Sequence, residues 1–261
     1  HPDDRSKGYM QKLVHHCINL MREGDVQLSW LSGHRQRYGY FGYEIGGIKY
    51  KFSVQADNVR HALGERSPIR FESLQRGEKE RLSKIANLHE RQILRVERPQ
   101  AQLYEILSGW GNEPFVALNS NDEFIGYVVS AIEGNSMKEL AGENTDACLD
   151  IISGWTKKQG ASVAIETPPV ISSLTTGLSR LCESFCTVET GNWRVFNWPA
   201  VLTAALKARN QMTPMAKGSI RIEIENHDCY ELVVDGESAV CRPTFATPDI
   251  YCDEKTATVL F

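Results

Sequence analysis

Met10, Leu13, Val14, Cys17, Ile18 and Met21 recur at steps of three and four. This spacing predicts an amphipathic helix that begins after Gly8 and stops at Gly24. Alternation over residues 26–31 predicts a strand, broken by Gly33. A short helical segment over 34–41 passes Gly42 into Tyr43, Ile45, Ile48, Tyr50 and Phe52, which read as a terminal strand pair. A charged helix over 77–92 turns Leu82, Ile85, Ala86 and Leu88 inward, and a further helical piece covers 100–107. Strands over 115–118 and 124–129 are joined by the turn residues Asn119, Ser120, Asn121 and Asp122. Another strand is expected over 137–141. Asn144 or Thr145 then caps a helix running to Lys158, Gly160 ends it, and 161–165 is a buried strand. Beyond Pro168 and Pro169, residues 172–183 are helical. After Trp198-Pro199 come a helix over 200–208 and a meander in which Ile220, Ile222 and Ile224 alternate with charged residues. Asn226-His227-Asp228 and Asp235-Gly236 turn that meander, and the chain ends on an apolar, strand-like run over 257–260.

The order of elements predicts an α/β (α+β) protein in three parts, over 1–60, 61–197 and 198–261. The first and second parts share a helix-and-strand layout, and the third is a helix followed by an antiparallel meander. The chain opens on His1 within a turn and stops at Phe261 within an apolar run. It is therefore read as a portion of a longer protein, cut at the N-terminus and also at the C-terminus.

Composition narrows the function. Lys and Arg number 29 against 33 Asp and Glu, a net charge of −4, which is too balanced for a general affinity for nucleic acid. No apolar run reaches the roughly 18 residues of a membrane span. The 7 cysteines are an odd number scattered over a long chain. They fit reduced thiols in the cytoplasm better than a disulfide framework.

Two segments carry candidate chemistry. Arg5-Ser6-Lys7-Gly8-Tyr9-Met10 forms a turn into the first helix, whose N-terminus offers unpaired N–H groups and the positive end of a dipole. Gly8 permits close backbone approach, and Arg5 and Lys7 add charge suited to a pyrophosphate. Read alone, the same residues are more often an ordinary helix start with two solvated cations. The second segment, residues 33–44, interleaves glycines with Tyr38, Tyr40, Phe41 and Tyr43. A phenol there can donate a proton to a leaving group, since a phenol near pKa 10 and a thiol near ~8.5 share a proton readily. Alone, this segment is more often an aromatic cluster closing a sheet. No metal is expected. His15, His16 and Cys17 point in different directions on a helix, and Cys182 and Cys186 have no second pair and read as core residues. Asp249, Asp253 and Glu254 lack the spacing of a calcium loop.

Together, Arg5-x-x-Gly8 before a helix and Tyr38-x-x-Phe41-Gly42-Tyr43 some thirty residues later resemble the GNAT superfamily of N-acetyltransferases. Met10 stands where the general family carries Gly or Ala. Such a larger apolar residue, with Tyr38-Gly39-Tyr40-Phe41-Gly42-Tyr43, is similar to the enhanced intracellular survival (Eis) subgroup. The resemblance implies tandem acetyltransferase-like folds, the first incomplete and the second degenerate, followed by a sterol-carrier-like domain. It implies acetyl-CoA as co-substrate, held by the backbone of Arg5, Ser6, Lys7, Gly8, Tyr9 and Met10, with Tyr38 as the general acid for the departing thiolate. In the subgroup the polypeptide's C-terminal carboxylate serves as base, a role not assigned here to Phe261. The acceptor is expected to be a small-molecule primary amine (polyamine or aminoglycoside-like) or a lysine, and the protein a cytoplasmic homo-oligomer. In the second part Gly142-Glu143-Asn144-Thr145 stands where a phosphate turn is expected, with an acid and no base, so this copy is not expected to bind coenzyme A. The alternative is a non-catalytic protein on a degenerate acyltransferase fold, binding acyl-CoA, a partner or a lipid that the Ile220, Ile222 and Ile224 face would line.

Overall fold

The helix after Gly8 is the first element of the computed structural model, which describes residues 7–260: α1 (Tyr9–Glu23). It is followed by β1 (Leu28–Leu31), α2 (Arg35–Gly39), β2 (Glu44–Val54), α3 (Ala56–Leu63), β3 (Arg70–Ser73), α4 (Lys79–Glu90) and α5 (Leu103–Leu107). Next come β4 (Asn112–Leu118), β5 (Phe124–Ala131), β6 (Ser136–Gly142), α6 (Thr145–Gln159), β7 (Val163–Thr167), α7 (Ser173–Leu181) and β8 (Ser184–Val195). The last elements are α8 (Trp198–Met212), β9 (Gly218–Ile224), β10 (Cys229–Asp235), β11 (Ser238–Pro243), β12 (Ile250–Cys252) and α9 (Glu254–Leu260). By contacts they group into two compact units, His1–Gly47 with Glu189–Phe261, and Ile48–Val188.

The unit Ile48–Val188 is a mixed sheet in the order β2-β7-β6-β5-β4-β3, with β6 and β7 parallel and the other pairs antiparallel. Both faces are covered. Val128 points into a core with Val59 of α3, Ile151, Ile152 and Trp155 of α6 and Leu178 of α7. Its neighbours Tyr127 and Val129 point into a second core with Ile85 and Leu88 of α4 and Leu103 and Leu107 of α5. Such double coverage explains why β5 is apolar along its length and does not alternate.

In the other unit, β1 pairs antiparallel with the end of β8, Leu28 opposite Val195 and Leu31 opposite Asn192. Its second sheet has the order β11-β10-β9-β12. α8 covers that sheet, so that Trp198, Leu202 and Leu206 pack with Ile222, Ile224, Tyr230 and Leu232. The Ile222 and Ile224 face is thus filled by side chains of the protein itself.

Several local expectations change. Residues 44–54 form one strand, not a pair. Gly46 and Gly47 lie in close quarters within it: a Cβ on Gly46 would come within 2.9 Å of Thr258 O and one on Gly47, at φ +62°, within 2.5 Å of Thr190 Oγ1. Residues 257–260 are helical because Asp253 caps α9, accepting from Thr256 N at 2.6 Å. Cys186 lies exposed in β8 and is not a core residue. The apolar stripe of α1 is only partly used: Ile18 is buried, Val14 and Met21 pack beside it, and Leu13 (62% exposed), Met10 and Cys17 face outward.

Candidate functional site

The start of α1 is built on a left-handed residue. Gly8 has φ +74° and ψ 9°, a conformation that costs any residue with a Cβ. A Cβ added there would meet nothing nearer than Gln11 Oε1 at 3.9 Å. The glycine therefore serves the turn, and no other described residue crowds its Cα. Among the described residues no side chain caps α1, and the first N–H groups of a helix have no partner within it; the intrahelical bonds begin with Lys12 N, which donates to Gly8 O at 3.1 Å. Tyr9 and Met10 are exposed beside this end, as is Lys7. Arg5 and Ser6 lie outside the described residues.

The corresponding turn before α6 is closed. Asn144 accepts from Ala147 N at 2.9 Å, and a Cβ on Gly142 would lie 2.9 Å from Cys148 N and 3.0 Å from its Sγ. Two helices of 15 residues thus begin after glycine-containing turns, one open and one filled by its own chain.

Tyr38 sits on α2, a helix of 5 residues. It packs on the cluster of Ile18, Phe41 and Tyr43 that also receives Val14 and Met21 of α1. The structure thereby brings α1 and Tyr38 onto one core. The Tyr38 and Tyr43 rings meet edge-on at 6.3 Å, and the Tyr43 hydroxyl shares a 2.8 Å hydrogen bond with Ser29 Oγ. His15 packs edge-on against Phe41 at 5.2 Å.

Glycines bracket α2. A Cβ on Gly33, at φ +130°, would come within 2.8 Å of Tyr38 Cε2, and one on Gly42, at φ +73°, within 2.6 Å of Arg194 Nη1. Asn192 donates from Nδ2 to Gly33 O at 2.9 Å. Burial lowers the pKa of the Arg194 guanidinium, which lies over the Phe196 ring. Sequence reasoning missed Asn192 and Arg194, because β8 went unrecognised. The alternation of Trp193 and Val195 marks a strand there, yet nothing local reveals that it lies against residues 28–33.

Glu44 follows the aromatic turn and is 3% exposed. Arg35 binds its carboxylate through Nε and Nη2, and Ile45 N donates to it at 2.9 Å. Arg35 holds the Glu44 carboxyl below the usual range, against the opposing effect of burial. Arg35, Tyr40, Glu44 and Lys255 line a cavity of about 250 Å³ beside α2. A second cavity of about 650 Å³, with Arg22, Arg194, Trp198, His227 and Glu254 in its walls, includes neither Tyr38 nor Lys7, Gly8, Tyr9 or Met10. Among the described residues no group of three or more His, Cys, Asp or Glu is placed to hold a metal, and no helix is long and apolar enough to cross a membrane.

Solved structures with this architecture include a conserved protein from Enterococcus faecalis described as a probable N-acyltransferase. It has a TM-score of 0.66 and 17% identity, over 100% of this chain and 69% of that one. A GCN5-related N-acetyltransferase from Kribbella flavida matches at 0.64 and 18% identity, over 99% and 67%. Eis1 from Mycobacterium abscessus matches at 0.59 and 18%, over 100% and 69%. The chain therefore spans about two thirds of each and has the α/β fold of the GCN5-related N-acetyltransferases. No family model matches the sequence, and no curated protein does.

Proposed function

We propose that this protein transfers an acetyl group from acetyl-CoA to a primary amine, as the fold and the α1 turn together suggest. The observation that carries the reading is the contrast between the two helix starts. Among the described residues the end of α1 is uncapped and open behind a left-handed glycine, and the end of α6 is capped and filled. An exposed, uncapped helix start favours a diphosphate through its amides and dipole. On this reading Lys7, Gly8, Tyr9 and Met10, with Arg5 and Ser6 preceding them, cradle the coenzyme. The second acetyltransferase-like copy is degenerate.

The chemistry assigned to Tyr38 balances simply. The amine nitrogen attacks the acetyl carbonyl carbon, the new C–N bond forms and the C–S bond breaks. The sulfur takes the phenolic proton of Tyr38, the nitrogen gives up a proton to a base, and the products are the amide and free coenzyme A. Holding the two reactants together supplies much of the rate. The acceptor class is a polyamine, an aminoglycoside-like molecule or a lysine. The reading extends to a sterol-carrier-like last part made of α8 and β9–β12, and to a cytoplasmic homo-oligomer. Seven unpaired cysteines are consistent with the reducing compartment. The lipid-binding alternative draws little support from the isoleucine face, since Ile222 and Ile224 are consumed by the core under α8.

The test uses the full chain with acetyl-CoA and spermidine, kanamycin or a lysine peptide, following thiol release. Tyr38→Phe should lower kcat by about 10²–10⁴-fold, the usual contribution of a general acid, with acetyl-CoA affinity by calorimetry nearly unchanged. Wild-type protein that turns over none of these amines would favour the non-catalytic alternative, and full activity in Tyr38→Phe would remove the phenol from the mechanism.

A further inference from the structure

Asn192 is 3% exposed, yet only one end of its carboxamide is used. Nδ2 donates to Gly33 O at 2.9 Å, while Oδ1 is buried and has no partner among the described residues. A buried half-satisfied amide is costly and calls for an explanation. A core aliphatic would avoid the orphaned oxygen, but it would leave the Gly33 carbonyl without this donor.

The Gly33 carbonyl matters because of what the same residue touches. The glycine backbone lies so close to Tyr38 that a Cβ would fall 2.8 Å from Cε2 and 3.8 Å from Cζ, the carbon bearing the hydroxyl. Tyr43 closes on the Tyr38 ring edge-on, and its own hydroxyl is tied to Ser29. On β8, Asn192 stands opposite Leu31 and Arg194 opposite Ser29. Two side chains of one strand thus reach the two glycines on either side of α2, Asn192 at Gly33 and Arg194 at Gly42. A helix of only 5 residues has little stability of its own, so its orientation depends on such anchors.

We infer that Asn192 is a positioning residue for Tyr38: its hydrogen bond fixes the Gly33 turn, and that turn sets the placement of the phenol. The inference rests on the assignment of Tyr38 as the proton donor. Asn192 touches neither coenzyme nor acceptor on this account, so its loss should slow the chemical step and leave coenzyme binding alone. Small displacements of a catalytic group are enough to cost one to two orders of magnitude.

Steady-state kinetics of the full chain with acetyl-CoA and spermidine, kanamycin or a lysine peptide test this. Asn192→Ala, and Asn192→Asp, which keeps the shape and loses the donor, should each lower kcat by roughly 10- to 100-fold with the KM for acetyl-CoA unchanged. The double variant Tyr38→Phe/Asn192→Ala should be no slower than Tyr38→Phe alone, because a residue that acts through the phenol has nothing left to position. Should Asn192→Ala fail to fold, the same comparison is made with Asn192→Asp. Undiminished kcat in the Asn192 variants, a raised KM for acetyl-CoA, or losses that multiply in the double variant would each overturn the inference while Tyr38→Phe still shows its own loss. A Tyr38→Phe protein as fast as wild type, or a wild type that turns over no amine, overturns the underlying assignment and the inference with it.

Discussion

Replacing Gly8 by valine probes the proposed coenzyme turn with two separable costs. The first is conformational. At φ +74° an L-residue sits in the left-handed region, at a cost of roughly 1–2 kcal/mol, and β-branching makes the region less accessible still. A loss of that size lowers the melting temperature by about 2–8 °C in a protein of this length. The described residues add no steric cost, since the nearest of their atoms to the new Cβ is 3.9 Å away. The second cost falls on the ligand. The open space is where a diphosphate would approach the helix amides, and a hydrogen bond to a charged group contributes about 1.5–3 kcal/mol. Losing one such bond weakens acetyl-CoA binding by about 10- to 150-fold. Gly8→Asn separates the two, because Asn tolerates the left-handed region but still places a side chain over the helix end. Calorimetric titration and thermal melts of all three proteins provide the readout. Valine should impair both stability and affinity, and asparagine mainly affinity. Acetyl-CoA affinity that stays within about twofold of wild type in both variants, with only the melting temperature changed, would reduce Gly8 to a backbone turn and refute the cradle.

Two further perturbations test the core of the Ile48–Val188 unit. Glu139 accepts from Arg98 at 2.9 and 2.8 Å and from the Tyr127 hydroxyl. Burial pushes its pKa up, but these bonds outweigh burial and hold it below the usual range. Its stabilising contribution is therefore complete above the ordinary carboxyl pKa of about 4.3 and disappears as the pH falls through the lower folded value. Glu139→Gln should cost about 3–5 kcal/mol in urea unfolding at neutral pH, by stranding the buried Arg98, and the gap to wild type should shrink in acid; a gap independent of pH would contradict this. In β5, Gly126→Ala would place a Cβ 2.6 Å from Ile151 Cδ1 and 2.9 Å from Gly142 Cα, so overpacking should destabilise the protein by about 1–3 kcal/mol in the same assay. The Cβ would also meet the Ala141 carbonyl of β6, so unchanged stability would show that both β6 and α6 can shift to make room.

Most elements held together by neighbours in sequence were readable. The period of α1, the Asn119–Asp122 turn, the Asn144 cap with Gly160 after it, and the Asp235-Gly236 turn appear where the residues place them. Each depends on contacts within a few residues, and those are encoded in spacing and turn chemistry. The elements missed were α3, β3, β8 and β12, which are short, polar or both. β8 shows the reason most clearly. Its residues 184–187 are exposed, and polar residues interrupt its apolar ones until Trp193 and Val195 alternate at its end.

The candidate site divides along the same line. The residues at the α1 turn and the aromatic turn were legible, because a left-handed glycine at a helix start and a glycine-bracketed tyrosine are local features. Asn192 was not, since its hydrogen bond reaches a carbonyl 159 residues away, and no periodicity carries information over such a distance. The sequence alone determined which segments turn, where the helices begin and which side chains have the chemistry for proton transfer. Tertiary structure alone decided which strand lies behind Tyr38, which helix start stays open and which half of the α1 stripe is covered, because burial is settled by partners that meet only when the chain folds.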